Sequence, residues 1–477
     1  MTVITNIEDL RVLAQQRVPR MFYDYADSGS WTESTYRANE SDFQRIKLRQ
    51  RVAVNMQNRS TRTQLIGIDA AMPVAIAPTG LTGMQHADGE ILAARAAEKF
   101  GVPFTLSTMS ICSIEDIAAH TKAPFWFQLY WMRDRDFMDS LMDRAKAAGC
   151  SALMLTLDLQ VLGQRHKDLK NGLTGMQHAD GEILAARAAE KFGVPFTLST
   201  MSICSIEDIA THTKAPFWFQ LYWMRDRDFM ERLMDRARAA RCSALVLTLD
   251  LQVLGQRHKD LKNGLTAPPK PTLANILNLM LKPRWCLGMA RTRRHGFGNL
   301  IGHAKGVSDM SSLGAWTREQ FDPQLDWNDV EWIKKRWGGK LILKGIMDVE
   351  DARLAADSGA DAMVVSNHGG RQLDGAPSSI HALPEIADAV GSRIEVWMDG
   401  GIRSGQDVLK AWALGARGTM IGRAFLYGLG AMGEAGVTKC LEIIHKELDV
   451  TMAFCGHTKI GTVDRRILLP SSFQATC

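Results

Sequence analysis

At 477 residues, with 46% hydrophobic and 23% charged side chains and no low-complexity tract, the chain has the make-up of a globular protein with a sizeable core. A net charge of +5 over that length gives no reason to expect nucleic acid as a partner. Nothing approaches the run of about 18 apolar residues that spans a membrane, and the opening "MTVITNIEDLRVLAQQRVP" lacks the layout of a secretion signal, so a cytoplasmic protein is expected. The eight cysteines form no Cys-x-x-Cys, and no metal site is expected.

In chain order, residues 1–70 read as a helical segment that precedes the main domain, residues 71–477. "MPVAIAP" (Met72–Pro78) is a short apolar run bounded by proline, the mark of a buried parallel strand. "DGEILAARAAEKFG" then has helical spacing, with Gly101 at its end. "PFTLS", "PFWFQLY" and "SALMLTLD" follow as strands, separated by "SIEDIAAH" and "DRDFMDSLMDRAKAAG" as helices. From Lys340 the alternation resumes with "KLILKGI", "DAMVVSN", "IEVWMDG" and "GTMIG" as strands and helices between them. Such alternation implies right-handed βαβ units around a parallel sheet.

One passage occurs twice. Residues 80–171 and 172–263 align at an offset of 92 (172 − 80), and only six positions differ: Ala119/Thr211, Asp139/Glu231, Ser140/Arg232, Lys146/Arg238, Gly149/Arg241 and Met154/Val246. Solenoid repeats have periods of roughly 20–50 residues and diverge between units, so a tandem duplication of about three βα units is the simpler reading. With one copy the strands number eight, the count that closes a (β/α)8 TIM barrel; both copies would make eleven, which that barrel cannot hold. One copy is therefore expected in the barrel and the other displaced, with the first copy preferred as occupant.

Reactive groups of such barrels lie at the C-terminal ends of strands. Here those ends hold Pro78, Thr79 and Gly80; Ser107; Gln128 and Tyr130; Thr156 and Asp158, with Arg165 beyond; Lys344; Ser366, His368 and Arg371; Asp399, Gly400, Gly401 and Arg403; and Gly422 with Arg423. The last two groups read as a glycine-lined cradle for a phosphate. His368 can act as a base near neutral pH, and Arg371 can hold a carboxylate. The Gly369–Gly370 pair beside it would let a ligand approach the backbone. Lys344, after three apolar residues, needs an anionic partner or must lose its charge. Structural readings stand beside each of these: an ion-paired lysine, a satisfied histidine, tight turns.

The set, with "SNHGGRQLDG" as its signature, resembles the FMN-dependent 2-hydroxy-acid dehydrogenases and oxidases, and among them the bacterial respiratory L-lactate dehydrogenases. The likeness runs from "YDYADSG" to "GEAGVTKCLEIIHKEL". It implies FMN as cofactor and oxidation of an (S)-2-hydroxy acid, L-lactate foremost, to the keto acid, with a quinone or cytochrome as electron acceptor. It also implies that Tyr25, Tyr130, Arg165 and Arg371 bind substrate, that His368 takes the proton, and that Asp158 supports the imidazolium. Pro78–Gly80, Ser107, Gln128, Thr156 and Ser366 would line the flavin, Lys344 would face its N1/C2 edge, and Asp399–Arg403 with Gly422–Arg423 would hold its phosphate. Ser199, Gln220, Tyr222, Thr248, Asp250 and Arg257 repeat the doubled part of that set. Gly80, where oxygen-reactive members more often carry alanine, favours a dehydrogenase. The basic, apolar stretch Pro271–Gly296 is expected either to touch the inner face of a membrane or to lie as a loop over the site. A homo-oligomer, as large as a tetramer, is expected. An oxidase using oxygen, a nucleotide oxidoreductase on the same barrel, and a product impaired by the duplication are the alternatives.

Overall fold

The structure, a computed structural model, describes residues 3–134, 140–141, 143–145, 147–156, 197–199, 205–213, 217–248, 273–291 and 325–473. Its centre is a parallel sheet of apolar strands: β1 (Val74–Ile76), β2 (Thr105–Ser107), β3 (Trp126–Asp134), β4 (Ala152–Thr156), β5 (Lys340–Ile346), β6 (Ala362–Val365), β7 (Glu395–Asp399) and β8 (Gly418–Ile421). Each pairs with the next in sequence, from β2 against β3 to β7 against β8, and β8 returns to β1 with Thr419 opposite Val74. The Ile76 N–H donates to the Pro103 carbonyl at 3.0 Å, joining β1 to the segment that enters β2. This is the large parallel sheet of an α/β fold.

Local chemistry sets the helix ends. Helix Ile91–Phe100 stops at Gly101, whose φ of 77° suits a residue without Cβ. Ser378 and Ser404 cap the helices Ser379–Val390 and Gly405–Ala413 by accepting from His381 and Asp407 backbone N–H groups. Ahead of the sheet come helices Ile7–Arg17, Arg20–Ala26 and Ser34–Arg45, the first opened by an Asn6/Asp9 capping box. A short antiparallel hairpin, Thr63–Leu65 with Ile68–Ala70, adds strand structure where only helix was expected.

The doubled passage offers two strands for one place. Thr105 lies opposite both Trp126 and Trp218, and Ser107 opposite both Gln128 and Gln220, so Trp218–Asp226 claims the β3 position in the same register. The rings of Trp126 and Trp218, of Phe127 and Phe219, and of His120 and His212 lie nearly parallel and closer than van der Waals contact allows. Two side chains cannot fill one volume of a close-packed core. The two copies thus present the same residues at the same place in the sheet.

The alternatives are not equally placed. Against β5, the first copy pairs over five residues, Lys340↔Ala152 to Lys344↔Thr156, whereas the second meets it only at Leu341↔Leu245. Behind the sheet both copies reach Arg336, Asp143 of the first at 2.9 Å and Glu231 of the second at 2.8 Å. Helix Arg227–Ala239 of the second copy packs there, with Arg238 4.3 Å over the Trp337 ring and donating to the Arg336 carbonyl at 2.9 Å. Buried Arg236 reaches Glu207 of its own copy at 2.8 Å and Glu115 of the other.

Candidate active site

The C-terminal ends of β1, β5, β6, β7 and β8 converge on a pocket lined by Tyr25, Pro78, Thr79, Gly80, Lys344, His368, Gly369, Arg371, Asp399, Gly400, Gly401, Arg403, Gly422 and Arg423. Lys344 projects from the apolar run of β5 and is only 3% exposed. Its ammonium donates to Ser366 Oγ at 2.7 Å and pairs with Asp399 at 3.2 Å, which answers the need of a buried charge for a partner. Ser366 Oγ also accepts from the His368 N–H at 3.1 Å, so one hydroxyl fixes both the lysine and the turn that carries the histidine. His368 has φ 55°, a left-handed conformation that costs a non-glycine residue on the order of 1–2 kcal/mol.

Arg371 lies 4.7 Å over the Tyr25 ring and donates from Nη1 to the Tyr25 carbonyl at 2.7 Å. The N-terminal helices thereby form one wall of the pocket. Asn39 and Asn367 exchange amide hydrogen bonds at 2.9 and 2.8 Å, and Asp374 accepts from the Thr32 and Thr35 N–H groups at 2.8 and 3.0 Å. These three ties were not read from the sequence. Their partners stand more than 300 residues apart, and no local pattern announces them.

On the far wall, Gly422 has open space where a Cβ would project, and it begins helix Arg423–Met432 without a side-chain cap. The first N–H groups of that helix lack intrahelical partners and suit an anion. Arg403 pairs with Glu40 at 2.7 Å. Burial works against its charge, but Glu40 and the Tyr427 phenol outweigh it and hold the guanidinium above its ordinary pKa. Arg423 donates to the carbonyls of Ala26, Gly369 and Ser28 at 3.0, 2.9 and 2.6 Å, so much of its hydrogen-bonding capacity serves the wall itself.

The strand-end glycines and Asp399 also have neighbours within the protein. Gly370 lies against the N-terminal helices, where a Cβ would meet the Tyr36 backbone at 2.5 Å, and Gly369 lines the pocket beside Arg423, which a Cβ would meet at 2.6 Å. Gly401 lines the pocket and also lies close to the Asn39 carbonyl, which a Cβ there would meet. Asp399, grouped with the phosphate cradle, is engaged by Lys344 instead, as a carboxylate repels a phosphate. Ser107 and Gln128 are fully buried and bonded to each other at 2.8 Å. Asp158, Arg165, Asp250 and Arg257 lie outside the described residues; the strands place the backbones of Tyr130, Thr156, Ser199, Gln220, Tyr222 and Thr248, whose side chains also lie outside them. No group of metal-ligating side chains occurs among the described residues.

Comparison with known proteins gives this geometry its family. The FMN-dependent dehydrogenase profile matches residues 14–175 and again 171–470. The chain belongs to that family. The second match begins where the second copy begins. L-lactate dehydrogenases of Caulobacter sp. (strain K31) and Actinobacillus pleuropneumoniae serotype 5b (strain L20) are each 39% identical to it, over 98% of this chain and 98% and 99% of theirs. Among solved structures, a monotopic membrane protein, (S)-mandelate dehydrogenase, is similar with TM-score 0.76 at 29% identity, covering 98% of this chain and all of that one. A mandelate oxidase matches at TM-score 0.68.

FMN-dependent dehydrogenases need a place for a phosphate, a polyhydroxyl chain and a flat ring, and the pocket fits all three. The cradle at Gly422 suits the phosphate. Asp399 Oδ1, buried and without a hydrogen-bond partner among the described residues, suits a hydroxyl donor. Pro78–Gly80 and the Lys344 ammonium remain for the ring.

Proposed function

We propose that the protein oxidises an (S)-2-hydroxy acid, L-lactate first among them, and passes the electrons to a quinone or cytochrome. The carrying observation is that Tyr25, His368 and Arg371 meet Lys344 and the glycine cradle in one pocket. Arg371, set over Tyr25, would hold the substrate carboxylate with Arg165. His368 would accept the proton lost on oxidation, and Asp158 would stabilise the imidazolium. When bound, FMN accepts the two electrons. Lys344 would stabilise negative charge on the reduced ring while Ser366 and Asp399 hold the ammonium in place. Both lactate-named relatives and the mandelate-named structures support the 2-hydroxy-acid class, and Gly80 in the pocket supports a dehydrogenase over an oxidase.

We read the architecture as a (β/α)8 barrel with the N-terminal helices packed on it and one copy of the repeat displaced. The seven pairings from β2 round to β1 and the Ile76–Pro103 hydrogen bond support it. The five-residue pairing with β5 favours the first copy there. Helices Leu273–Met280 and Pro283–Arg291 and the turn between them expose Leu277, Met280, Leu281 and Leu287 beside Lys282, which supports peripheral contact with a membrane; no helix among the described residues is long and apolar enough to cross one.

Purified protein mixed with L-lactate under anaerobic conditions tests the function. The flavin absorbance near 450 nm should bleach with L-lactate and not with D-lactate. A flavin that no (S)-2-hydroxy acid bleaches would show a site impaired by the duplication.

A further inference from the structure

Asp27, in "YDYADSG", is not among the residues lining the pocket, yet its carboxylate has four partners among the described residues. It is 9% exposed and accepts the phenol hydroxyls of Tyr23 at 2.8 Å, Tyr36 at 2.8 Å and Tyr427 at 2.6 Å, with the Arg11 guanidinium at 3.0 Å. The three tyrosines come from three helices: Arg20–Ala26, Ser34–Arg45 and Arg423–Met432. Nothing in the oxidation calls for this knot.

Its position explains it. The Tyr36 ring lies 4.5 Å beneath the Arg423 guanidinium, and the Tyr427 ring 5.7 Å from that of Arg403, both within cation–π range. Arg423 also donates to the carbonyls of Ala26 and Ser28, the residues on either side of Asp27. The two arginines of the anion cradle thus stand on rings whose hydroxyls end on one carboxylate. Burial first, and the Asp27 charge second, push the Tyr36 phenol up to about 12, so it stays a hydroxyl donor across the working pH range.

We propose that Asp27 is a positioning residue for the FMN phosphate: it fixes Tyr36 and Tyr427 and, through them, Arg423 and Arg403. The inference rests on the FMN reading of the pocket and extends it to cofactor retention. A purely structural carboxylate would hold the N-terminal helices and nothing more. The two roles differ in selectivity, because riboflavin has the ring and hydroxyls of FMN without its phosphate.

The test measures flavin release from the holoenzyme, then rebinding of FMN and of riboflavin by fluorescence quenching, for wild type and Asp27→Asn. The expected result is FMN affinity weakened on the order of tenfold, as when a group that orients a ligand-binding residue is removed, with riboflavin affinity unchanged. Equal weakening of both flavins, or of neither, would overturn the proposal. Where Asp27→Asn yields no folded protein, Tyr427→Phe, which removes one hydroxyl and keeps the ring under Arg403, reads the same ratio and decides in the same way. A wild-type protein that retained no flavin at all would instead sink the FMN reading beneath the proposal.

Discussion

From Lys340 to Ile421 the sheet is encoded once, and from Thr105 to Thr156 it is encoded twice. In the single-copy half β6, β7 and β8 each have one partner on each side, Lys344, Ser366 and Asp399 lock together, and the cradle follows directly. In the doubled half Trp126 and Trp218 compete for one volume, and Arg236 is shared between two glutamates. The same chemistry is present in both halves. The difference is uniqueness: a repeat this close leaves the packing energy nearly the same whichever copy fills the gap, so no large energy separates the outcomes. Any crossover from one copy to the other that skips 92 residues in register restores the same order of strand sequences.

The largest effect should come from removing that ambiguity. Deleting 172–263 or deleting 80–171 leaves chains that differ at only six positions, and both should bind one flavin per chain with a single sharp unfolding transition. The full-length protein should carry less flavin and unfold over a broader range. Flavin content and calorimetry compare the three. A deletion variant that loses flavin would mean that both copies take part in the fold.

Single substitutions should then separate the halves. His368 occurs once, so His368→Gln should lower kcat by roughly 10²–10⁴-fold, the usual contribution of a general base, with flavin retained. Asp158 and Asp250 are duplicates. Asp158→Asn alone and Asp250→Asn alone should each leave part of the activity, and the double variant should fall well below either. Steady-state rates with L-lactate read all four. Loss of all activity in one single variant would show that this copy alone builds the site.

A smaller change should tilt the choice. Gly149 and Arg241 occupy the same turn after the helix, with φ of 75° and 56°, and a non-glycine residue there is disfavoured by about 1 kcal/mol. Arg241→Gly should therefore shift occupancy at this turn toward the second copy by roughly fivefold, the factor that 1 kcal/mol is worth at 25 °C. Limited proteolysis with mass analysis of the fragments reports which copy is cut. An unchanged cleavage ratio would mean that contacts such as Arg238 on Trp337 already decide this position.

The same contrast marks what could be read from the sequence. The eight strands were legible because each is a short apolar run closed by glycine, proline or a polar residue, and the order of strand-end residues placed Lys344, His368, Arg371 and Gly422 around one pocket. Long-range ties were not legible. Asp374 with Thr32, Asn39 with Asn367, and the real use of Gly369 and Gly370 against Arg423 and Tyr36 depend on how the N-terminal helices dock, and no periodicity encodes that. Strand counting leads to the expectation of one occupant for the doubled stretch, but which copy meets which neighbour, as in the five-residue pairing of Ala152–Thr156 with β5, depends on side-chain packing.

The smallest predicted effect lies in the single-copy half and should be indifferent to the duplication. Burial would raise the Asp374 carboxyl, but the Ser34 and Thr32 hydroxyls and the Thr35 and Thr32 N–H groups outweigh it and hold the pKa at about 2. A depressed carboxylate contributes stability that is complete above its unfolded value of about 3.9 and is lost as pH falls toward the folded value. The tie between residues 32–35 and the His368 turn should therefore be intact at neutral pH and loosen only between about pH 4 and 2. Hydrogen exchange at the Thr35 amide, whose N–H donates to Asp374 Oδ1, should be slower in wild type than in Asp374→Asn at pH 6. That gap should narrow toward pH 3, and to the same extent in both deletion variants. A gap that differed between full-length and deleted chains would show that strain from the doubled half reaches the N-terminal wall of the site.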